Sequence, residues 1–149
     1  MMRSILIVVL TLMLFSCSTP DTSDIEEISL QFGSQKWELV RMTGSFINSE
    51  TTGDDMEWQE YYIFNPEGTF LKSREREGVI IEASGTFDVV EYDNDEADYL
   101  ELTYKTGHEL IGSCNGDGKE ELVYRTQKEL SNTWQACDGP GLDYVLEED

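Results

Sequence analysis

The sequence predicts an all-β protein, an antiparallel up-and-down meander of about eight strands. From Gln35 onward, hydrophobic and polar residues alternate with a period of two. Turn residues separate the alternating runs at short intervals, as at 65–68, where Asn, Pro, Glu and Gly follow one another. Aromatic and β-branched residues, which strands favour, fill the runs themselves.

Eight or nine strand-like runs follow one another along the chain. They cover residues 37–42, 57–64, 69–76, 79–91, 99–105, 109–114, 120–126, 130–137 and 142–146. Gly85 interrupts the longest run, where a bulge or bend is expected. The polar residues 45–56 predict a loop and the acidic residues 91–98 a turn. Residues 73–77 alternate in charge and are expected to guard an exposed strand edge.

Sequential hairpins predict that each strand pairs with the next one. A meander of this size either leaves two open edges or closes into a barrel, and closure removes the edges altogether. About eight strands enclose a space that side chains fill or that holds one small ligand. The sequence therefore favours a barrel, with a β-sandwich as the alternative architecture.

The first 17 residues resemble a lipoprotein signal. Arg3 precedes an apolar run over 5–15 that is too short to span a bilayer. Leu14, Phe15, Ser16 and Cys17 then resemble the lipobox of bacterial lipoproteins. The resemblance implies that residues 1–16 are removed and that Cys17 carries a diacylglycerol thioether and an acyl chain such as palmitate. Two or three chains give a stable anchor, whereas the alternative is an ordinary cleaved signal with a coincidental cysteine.

The predicted domain organisation follows from this signal. Residues 17–34 comprise the lipidated cysteine and a flexible tether, in which 24–30 has the pattern of a short helix. Residues 35–149 form one barrel domain. Ser18, which follows the cysteine, resembles the outer-membrane sorting preference, so we expect a cell-envelope lipoprotein of the outer membrane that faces the periplasm or the cell surface.

Acidic residues dominate the composition. The chain has 31 Asp and Glu against 10 Lys and Arg, a formal charge of −21, and loss of residues 1–16 with their one arginine makes it −22. Such a charge repels phosphate-bearing surfaces, so we expect no nucleic-acid partner. It favours a basic protein partner, although a solvated acidic surface is the simpler explanation.

With Cys17 acylated, two cysteines remain in an oxidising compartment. Cys114 and Cys137 are therefore predicted to form a disulfide, which would close a loop of about 24 residues and contribute roughly 3.5 kcal/mol. The alternative is a pair of metal-ligand thiolates, but the chain has no Cys-x-x-Cys motif and its one histidine is His108. We expect no metal and no cofactor.

The large aromatic residues lie on predicted strands. By parity Trp58, Tyr62 and Phe64 share one face. In a barrel such residues fill the core, which is the default, or line a cavity for a mostly apolar ligand. The candidate ligand-binding residues are Trp37, Trp58, Tyr62, Phe64, Tyr104 and Tyr124.

Enzyme chemistry has little support in the sequence. A nucleophile needs a base beside it or a placed pair of acids. With a single histidine and two cysteines expected to be oxidised, only carboxylate or hydroxyl mechanisms remain, and the many acids single out no pair. We expect that the protein is not an enzyme.

Four short segments together resemble a known family. They are residues 36–40, which open the first strand, 64–70, 83–87 and 137–141. Over about residues 33–147 the chain resembles the lipocalin-like lipoproteins common in Bacteroidetes. The resemblance implies a small barrel that binds an apolar molecule, without naming a substrate.

Two functions follow as expectations. The first is a membrane-anchored module whose barrel binds a small apolar or amphipathic molecule. The second is an acidic interaction or inhibitor protein that docks on a basic protein. Salt separates them, because charge-driven docking weakens steeply with ionic strength whereas binding in an apolar cavity does not.

Overall fold

The computed structural model describes residues 33–148. The predicted signal peptide, the predicted lipidation at Cys17 and the helical pattern at 24–30 lie outside the described residues. The described chain is all-β, with nine strands and three short 3-10 turns. The strands are β1 (Gln35–Thr43), β2 (Thr51–Thr52), β3 (Gln59–Asn65), β4 (Thr69–Arg76), β5 (Val79–Glu91), β6 (Asp98–Thr106), β7 (Lys119–Thr126), β8 (Glu129–Asn132) and β9 (Gly141–Leu146). No helix between residues 33 and 148 has the length and apolarity needed to cross a membrane.

The sheet closes on itself. From β3 to β9 each strand pairs antiparallel with the next, and β1 pairs with both β3 and β9. Trp37 lies opposite Leu146 and Thr43 opposite Gly141 along the closing seam. The result is an eight-stranded barrel with the two-residue β2 added beside β1, which confirms the predicted up-and-down barrel over the sandwich. No strand from outside residues 33–148 is needed for closure, so a chain that starts at Ser18 keeps the whole sheet.

The antiparallel order gives the barrel two different ends. The N-terminal end holds the start of β1 and the short β3–β4, β5–β6 and β7–β8 turns. The loop end holds the β4–β5 turn and the longer connections 44–58, 107–118 and 133–140. Long connections can fold back over a barrel mouth, and Met56, Trp58 and Leu110 from two of them are buried.

Local chemistry explains the tightest turns. At the β3–β4 hairpin Gly68 has φ 78°, and its N–H donates to the Asn65 carbonyl at 3.0 Å. At the β4–β5 hairpin Glu77 and Gly78 both have positive φ, 54° and 78°. Two consecutive left-handed residues define the type I′ turn, whose twist matches that of the flanking strands. These turns fix the register of β4 against both of its neighbours.

The expected bulge in the longest strand is confirmed. The pairing of β5 with β6 shifts between Ser84 and Gly85. A Cβ atom at residue 85 would lie 2.0 Å from the Thr103 carbonyl oxygen and 2.8 Å from a ring carbon of Phe70. Glycine therefore lets β6 and a core ring approach the backbone closely.

Three sequence predictions are wrong. Residues 109–114 form no strand, because His108–Leu110 is a 3-10 turn followed by irregular chain. The strand predicted over 130–137 ends at Asn132, where the 3-10 turn Trp134–Cys137 follows. The loop predicted over 45–56 contains β2 and the turn Gly53–Asp55.

The charged residues 73–77 do not guard an edge. Strand β4 pairs with β3 on one side and with β5 on the other, so it lies in the middle of the sheet. Ser73 is buried, and the side chain of Arg74 is largely enclosed. Closure of the barrel removed the edge that the alternating charges were expected to protect.

Candidate functional site

Four charged side chains lie inside the barrel near its loop end. Glu60 extends from β3, Lys72 and Arg74 from β4, and Glu120 from β7. The side chains of Glu60, Lys72 and Glu120 have no exposed surface. Alternation places them there, because Glu60 shares its face with Tyr62 and Lys72 shares its face with Phe70. We call these four residues the ionic cluster, together with the three tyrosines that contact them: Tyr62, Tyr104 and Tyr144.

Lys72 is at the centre of the ionic cluster. Its ammonium donates to both carboxylate oxygens of Glu120 at 3.1 Å and to the Leu110 carbonyl at 2.8 Å. Glu60 Oε1 lies 3.5 Å from the same nitrogen. Glu120 also accepts from the Gly112 N–H at 3.2 Å and from the Tyr104 hydroxyl. A buried charge is tolerated only when it is paired and hydrogen-bonded, and this one meets both conditions.

Glu60 connects the second cation, Arg74, to the far wall of the barrel. It accepts from Arg74 Nε through one carboxylate oxygen and from the Tyr144 hydroxyl, at 2.6 Å, through the other. Two carboxylates therefore face two cations, so the ionic cluster is electrically neutral. Burial lowers the pKa of the Arg74 guanidinium, but Glu60 raises it by more, so the group stays charged.

The tyrosines of the ionic cluster stay protonated. Burial raises the pKa of Tyr62 and Tyr144 well above its usual value, and the carboxylates of Glu60 and Glu120 raise it further. The pKa of Tyr104 is raised by burial and then by Glu120. An ionised phenolate would have to exist unsolvated beside two carboxylates, so these hydroxyls act as neutral groups.

Trp58 lies under two arginines at the loop end. The Arg74 guanidinium carbon is 4.3 Å from the centre of the indole ring, and that of Arg76 is 6.0 Å away. Arg76 also pairs with Glu57. Within residues 33–148 the Trp58 Nε1, Arg74 Nη2 and Tyr62 hydroxyl atoms are buried without a hydrogen-bond partner. Two of these three groups are donors only, so the buried polar groups offer an excess of donors.

The β4–β5 hairpin extends the inner surface of the barrel past its rim. Residues 79–83 pair with β4 alone, because the pairing of β5 with β6 begins at Ser84. Arg74 lies opposite Ile81 and Arg76 opposite Val79, and residues directly opposite share a face. This is the face that carries the buried Lys72 farther along β4. We call the projecting face with Arg74, Arg76, Val79 and Ile81 the lip.

The six predicted aromatic residues are placed together in the interior. Five of them, Trp37, Trp58, Tyr62, Phe64 and Tyr104, are buried, and Tyr124 is half-buried against the core. Their rings contact one another and further core rings, with centroid distances of 5.6 Å for Tyr62–Phe64 and 5.8 Å for Trp37–Tyr124. In this structure they fill the core, and their role in binding a ligand stays a prediction.

The structure contains the predicted disulfide. Cys114 and Cys137 are bonded, with 5.7 Å between their Cα atoms. The bond joins the connections 107–118 and 133–140 at the loop end. Leu110 and Gly112, whose backbones bind the ionic cluster, belong to the first of these connections. The disulfide therefore restrains the chain that covers this end of the barrel.

The ionic cluster was not predicted from the sequence, although a signal was present. Parity had already placed Trp58, Tyr62 and Phe64 on one inward face, and Glu60 occupies the same parity. Glu120 likewise alternates with Leu122 and Tyr124. A charge at an inward position of a predicted barrel strand indicates a buried partner, but the partner's identity depends on contacts between distant strands.

The ionic cluster offers no catalytic arrangement in the described chain. Its carboxylates are enclosed and paired with cations, and its hydroxyls stay neutral, so it has no exposed base or nucleophile. Residues 33–148 contain no group of three or more His, Cys, Asp or Glu placed to hold a metal ion. The arrangement can bind: it presents unpaired donors beneath an apolar and cationic lip.

No protein-family model, no curated protein and no solved structure matches this chain. The fold itself defines the class, a small closed antiparallel β-barrel with a polar interior at one end. The resemblance to lipocalin-like lipoproteins stays a prediction from the sequence segments given above.

Proposed function

We propose that the protein is an envelope lipoprotein, tethered through an acylated Cys17, whose lipocalin-like barrel is a non-catalytic module that binds a small amphipathic molecule. An eight-stranded barrel has the dimensions for one small ligand. The lipobox resemblance supports the tether, and the segments at 36–40 and 64–70 support the family. The observation that carries the proposal is the pair of buried, unpartnered donors beside exposed apolar side chains at the loop end.

A buried donor without an acceptor costs about 1–3 kcal/mol, so proteins seldom keep one without a use. Trp58 Nε1 and Arg74 Nη2 are two such donors on stacked side chains. A ligand that brings acceptor oxygens would recover this energy. Its apolar part would cover Val79 and Ile81, which are exposed at the same place. Amphipathic molecules have both parts.

The loop end is favoured over the middle of the barrel as the binding place. The rings of Phe64 and Phe87 are in edge contact at 4.9 Å, and those of Phe70 and Tyr104 at 5.0 Å. A ligand among these rings would have to displace packed core, which costs several kcal/mol. At the loop end it would instead satisfy atoms that the described chain leaves unpaired.

Native mass spectrometry of the soluble form that starts at Ser18 tests the proposal. A retained small molecule, or a stoichiometric adduct after incubation with amphiphiles, is the expected result. A protein that stays free of any adduct across neutral, anionic and cationic amphiphiles would contradict it. Labelled palmitate tests the tether separately, since incorporation requires Cys17 and should disappear in Cys17→Ser.

A second candidate function is docking on a basic protein, which the ion pairing favours. Of the nine described lysines and arginines, seven are used in internal ion pairs. They are Lys36, Arg41, Lys72, Arg74, Arg76, Lys119 and Lys128. The acid excess is therefore little compensated at the surface and attracts cations over a Debye length of about 10 Å at 0.1 M salt. Affinity for a basic partner should then fall steeply between about 50 and 300 mM salt.

A further inference from the structure

We infer that the ligand is an anionic amphiphile whose carboxylate is received by Arg74 and Trp58 and whose chain lies along the lip. This inference rests on the proposed function and adds the chemistry of the ligand and the place where it binds. It follows from three observations: the kind of polar atom left unpaired, the charges at the lip, and the face on which the exposed apolar side chains lie.

The unpaired atoms select an acceptor. An indole N–H and a guanidinium are donors in every protonation state that the protein reaches. Trp58 is only 6% exposed, so its Nε1 is not satisfied by bulk water, and within the described residues it has no protein partner. Arg74 uses Nε on Glu60 and keeps Nη2 unpaired. A carboxylate supplies two oxygens in one plane, and it forms the shorter and stronger hydrogen bonds of a charged acceptor.

The lip carries two arginines in an acidic protein. Arg74 and Arg76 extend from alternate positions of β4 and share the ring of Trp58. The carboxylates that face them are Glu60, which is buried, and Glu57, which is exposed. An anion placed between the guanidinium groups would compete with exposed Glu57 and leave the buried Glu60 pair intact. A cationic head would meet two arginines, and within residues 33–148 the buried Tyr62 hydroxyl is the single unpaired side-chain group there that can accept a hydrogen bond.

The apolar side chains of the lip lie on one face of the hairpin. Val79 and Ile80 are exposed to nearly the same extent, 60% and 62%. Val79 lies opposite Arg76, on the barrel side, whereas Ile80 lies opposite Glu75 on the other face. Ile80 lines an outer groove with Glu75 and Glu82. Val79 and Ile80 are thus a matched pair in size and exposure that differs in the face it presents.

The experiment titrates the soluble form from Ser18 with four ten-carbon probes: decanoate, decyl phosphate, decanol and decyltrimethylammonium. The charged probes are kept below their micelle concentrations and decanol below its solubility limit. Calorimetry gives the affinities. The NMR signal of the Trp58 indole N–H, which is assigned by its absence in Trp58→Phe, reports on the hydrogen bond of that group. We expect decanoate to bind about tenfold more tightly than decanol and to shift that signal downfield. Decyl phosphate at least as tight as decanoate would overturn the carboxylate assignment in favour of a phosphate-bearing head.

Three variants test whether the ligand binds at the lip. Val79→Ser should weaken decanoate binding about fivefold, because the bound chain no longer covers an apolar valine side chain. Ile80→Ser should leave the affinity unchanged. Trp58→Phe keeps the ring and removes the donor, and we expect about tenfold weaker binding. Equal effects of the two serine variants, or an unchanged affinity in Trp58→Phe, would overturn the lip as the binding place.

The probes also separate this inference from the function on which it rests. Equal binding of decanol and decanoate would overturn the anionic ligand while the proposed binding module stands. Tighter binding of decyltrimethylammonium would do the same. Absence of binding by all four probes would contradict both the anionic ligand and the proposed binding module. Thermal unfolding of each variant accompanies the titrations, so that an unfolded sample is not counted as a loss of affinity.

Discussion

The two halves of the barrel interior are built from different chemistry. Toward the N-terminal end, Phe64 contacts both Phe70 and Phe87, and these rings belong to one core cluster with leucines such as Leu100. Toward the loop end the same inward positions of β3, β4 and β7 carry charges. Tyr62 joins the halves, because its ring stacks on Phe64 while its hydroxyl lies among the groups of the ionic cluster.

The difference shows which half supplies stability and which half is available for binding. Burial of rings and aliphatic side chains releases about 25 cal/mol per Å² of apolar surface. A buried ion pair gains little net energy, since desolvation offsets attraction. Charges at the loop end are therefore poorly explained by stability alone, and the unpaired donors beside them fit a binding role.

Lys72→Met should have the largest effect, because it leaves Glu60 and Glu120 buried without their shared cation. Breaking a buried pair from one side costs about 3–5 kcal/mol. Urea unfolding followed by fluorescence measures the loss. The triple variant Lys72→Met, Glu60→Gln, Glu120→Gln should recover much of it. A single variant as stable as the parent would mean that the ionic cluster is solvated and not a buried network.

Alkaline pH should destabilise the loop-end half strongly. The folded pKa of Tyr62, Tyr104 and Tyr144 is raised above the unfolded value of about 10. Their contribution is therefore fully present below pH 10 and is lost as the pH rises toward the folded pKa. The expected slope above pH 10 is about 1.4 kcal/mol per pH unit for each tyrosine, or about 4 kcal/mol for the three together. Urea unfolding curves measure this slope between about pH 9 and about pH 12, and the upper limit lies about two units above the unfolded tyrosine pKa.

In the corresponding triple Tyr→Phe variant most of this slope should be lost, and the part that remains comes from tyrosines such as Tyr124 and Tyr92, whose folded pKa is also raised. Phenol absorbance gives an independent check, since these three groups should ionise only as the protein unfolds. Ionisation in the folded state with ordinary pKa values would contradict their burial among carboxylates.

Removal of the disulfide should loosen the loop end more than the N-terminal end. In the chain-entropy model a loop of about 24 residues contributes roughly 3.5 kcal/mol. The variant Cys114→Ser, Cys137→Ser should lose about that much, measured by urea unfolding. Hydrogen exchange should rise first at Gly112, whose N–H binds Glu120. Equal acceleration at Leu100, in the apolar half, would mean that the two halves open together.

The smallest effects are expected for substitutions of two buried tyrosines. Tyr144→Phe removes a hydroxyl that donates to Glu60 at 2.6 Å and should cost about 1–3 kcal/mol. Tyr62→Phe removes a hydroxyl with no partner in the described chain and should be neutral or stabilising. Thermal unfolding of the two variants, side by side, measures the difference. A greater loss in Tyr62→Phe would show that its hydroxyl is bonded.

Much of the fold could be predicted because strand signals are local. The predicted bounds of β4 and β5 agree with the structure, since the turn residues on either side of β4 fix where it begins and ends. The run at 109–114 was misassigned because its apolar residues cover the end of the barrel. Residues that cover a barrel end are as hydrophobic as residues of a buried strand, and the folded chain is needed to tell the two apart.

The candidate site could be predicted only in part. The aromatic residues were expected inside, and alternation was enough to place Tyr62 and Phe64 there. Ile81 and Val89 have the same parity as the buried Ala83, yet both are exposed, because β5 extends beyond β6 at its start and beyond β4 at its end. Parity assigns a face to a residue but does not tell whether another strand covers it.

The sequence alone determined the class of fold, the turns, the bulge at Gly85 and the two cysteines that pair, because each depends on residues close in the chain or on a count. Tertiary structure alone decided that β9 returns to β1, that Lys72 meets Glu60 and Glu120, and that the lip projects uncovered. Those features depend on which distant strands become neighbours and where each ends. The energy of a charge depends on its partners and its burial, and the order of residues specifies neither until the barrel has closed.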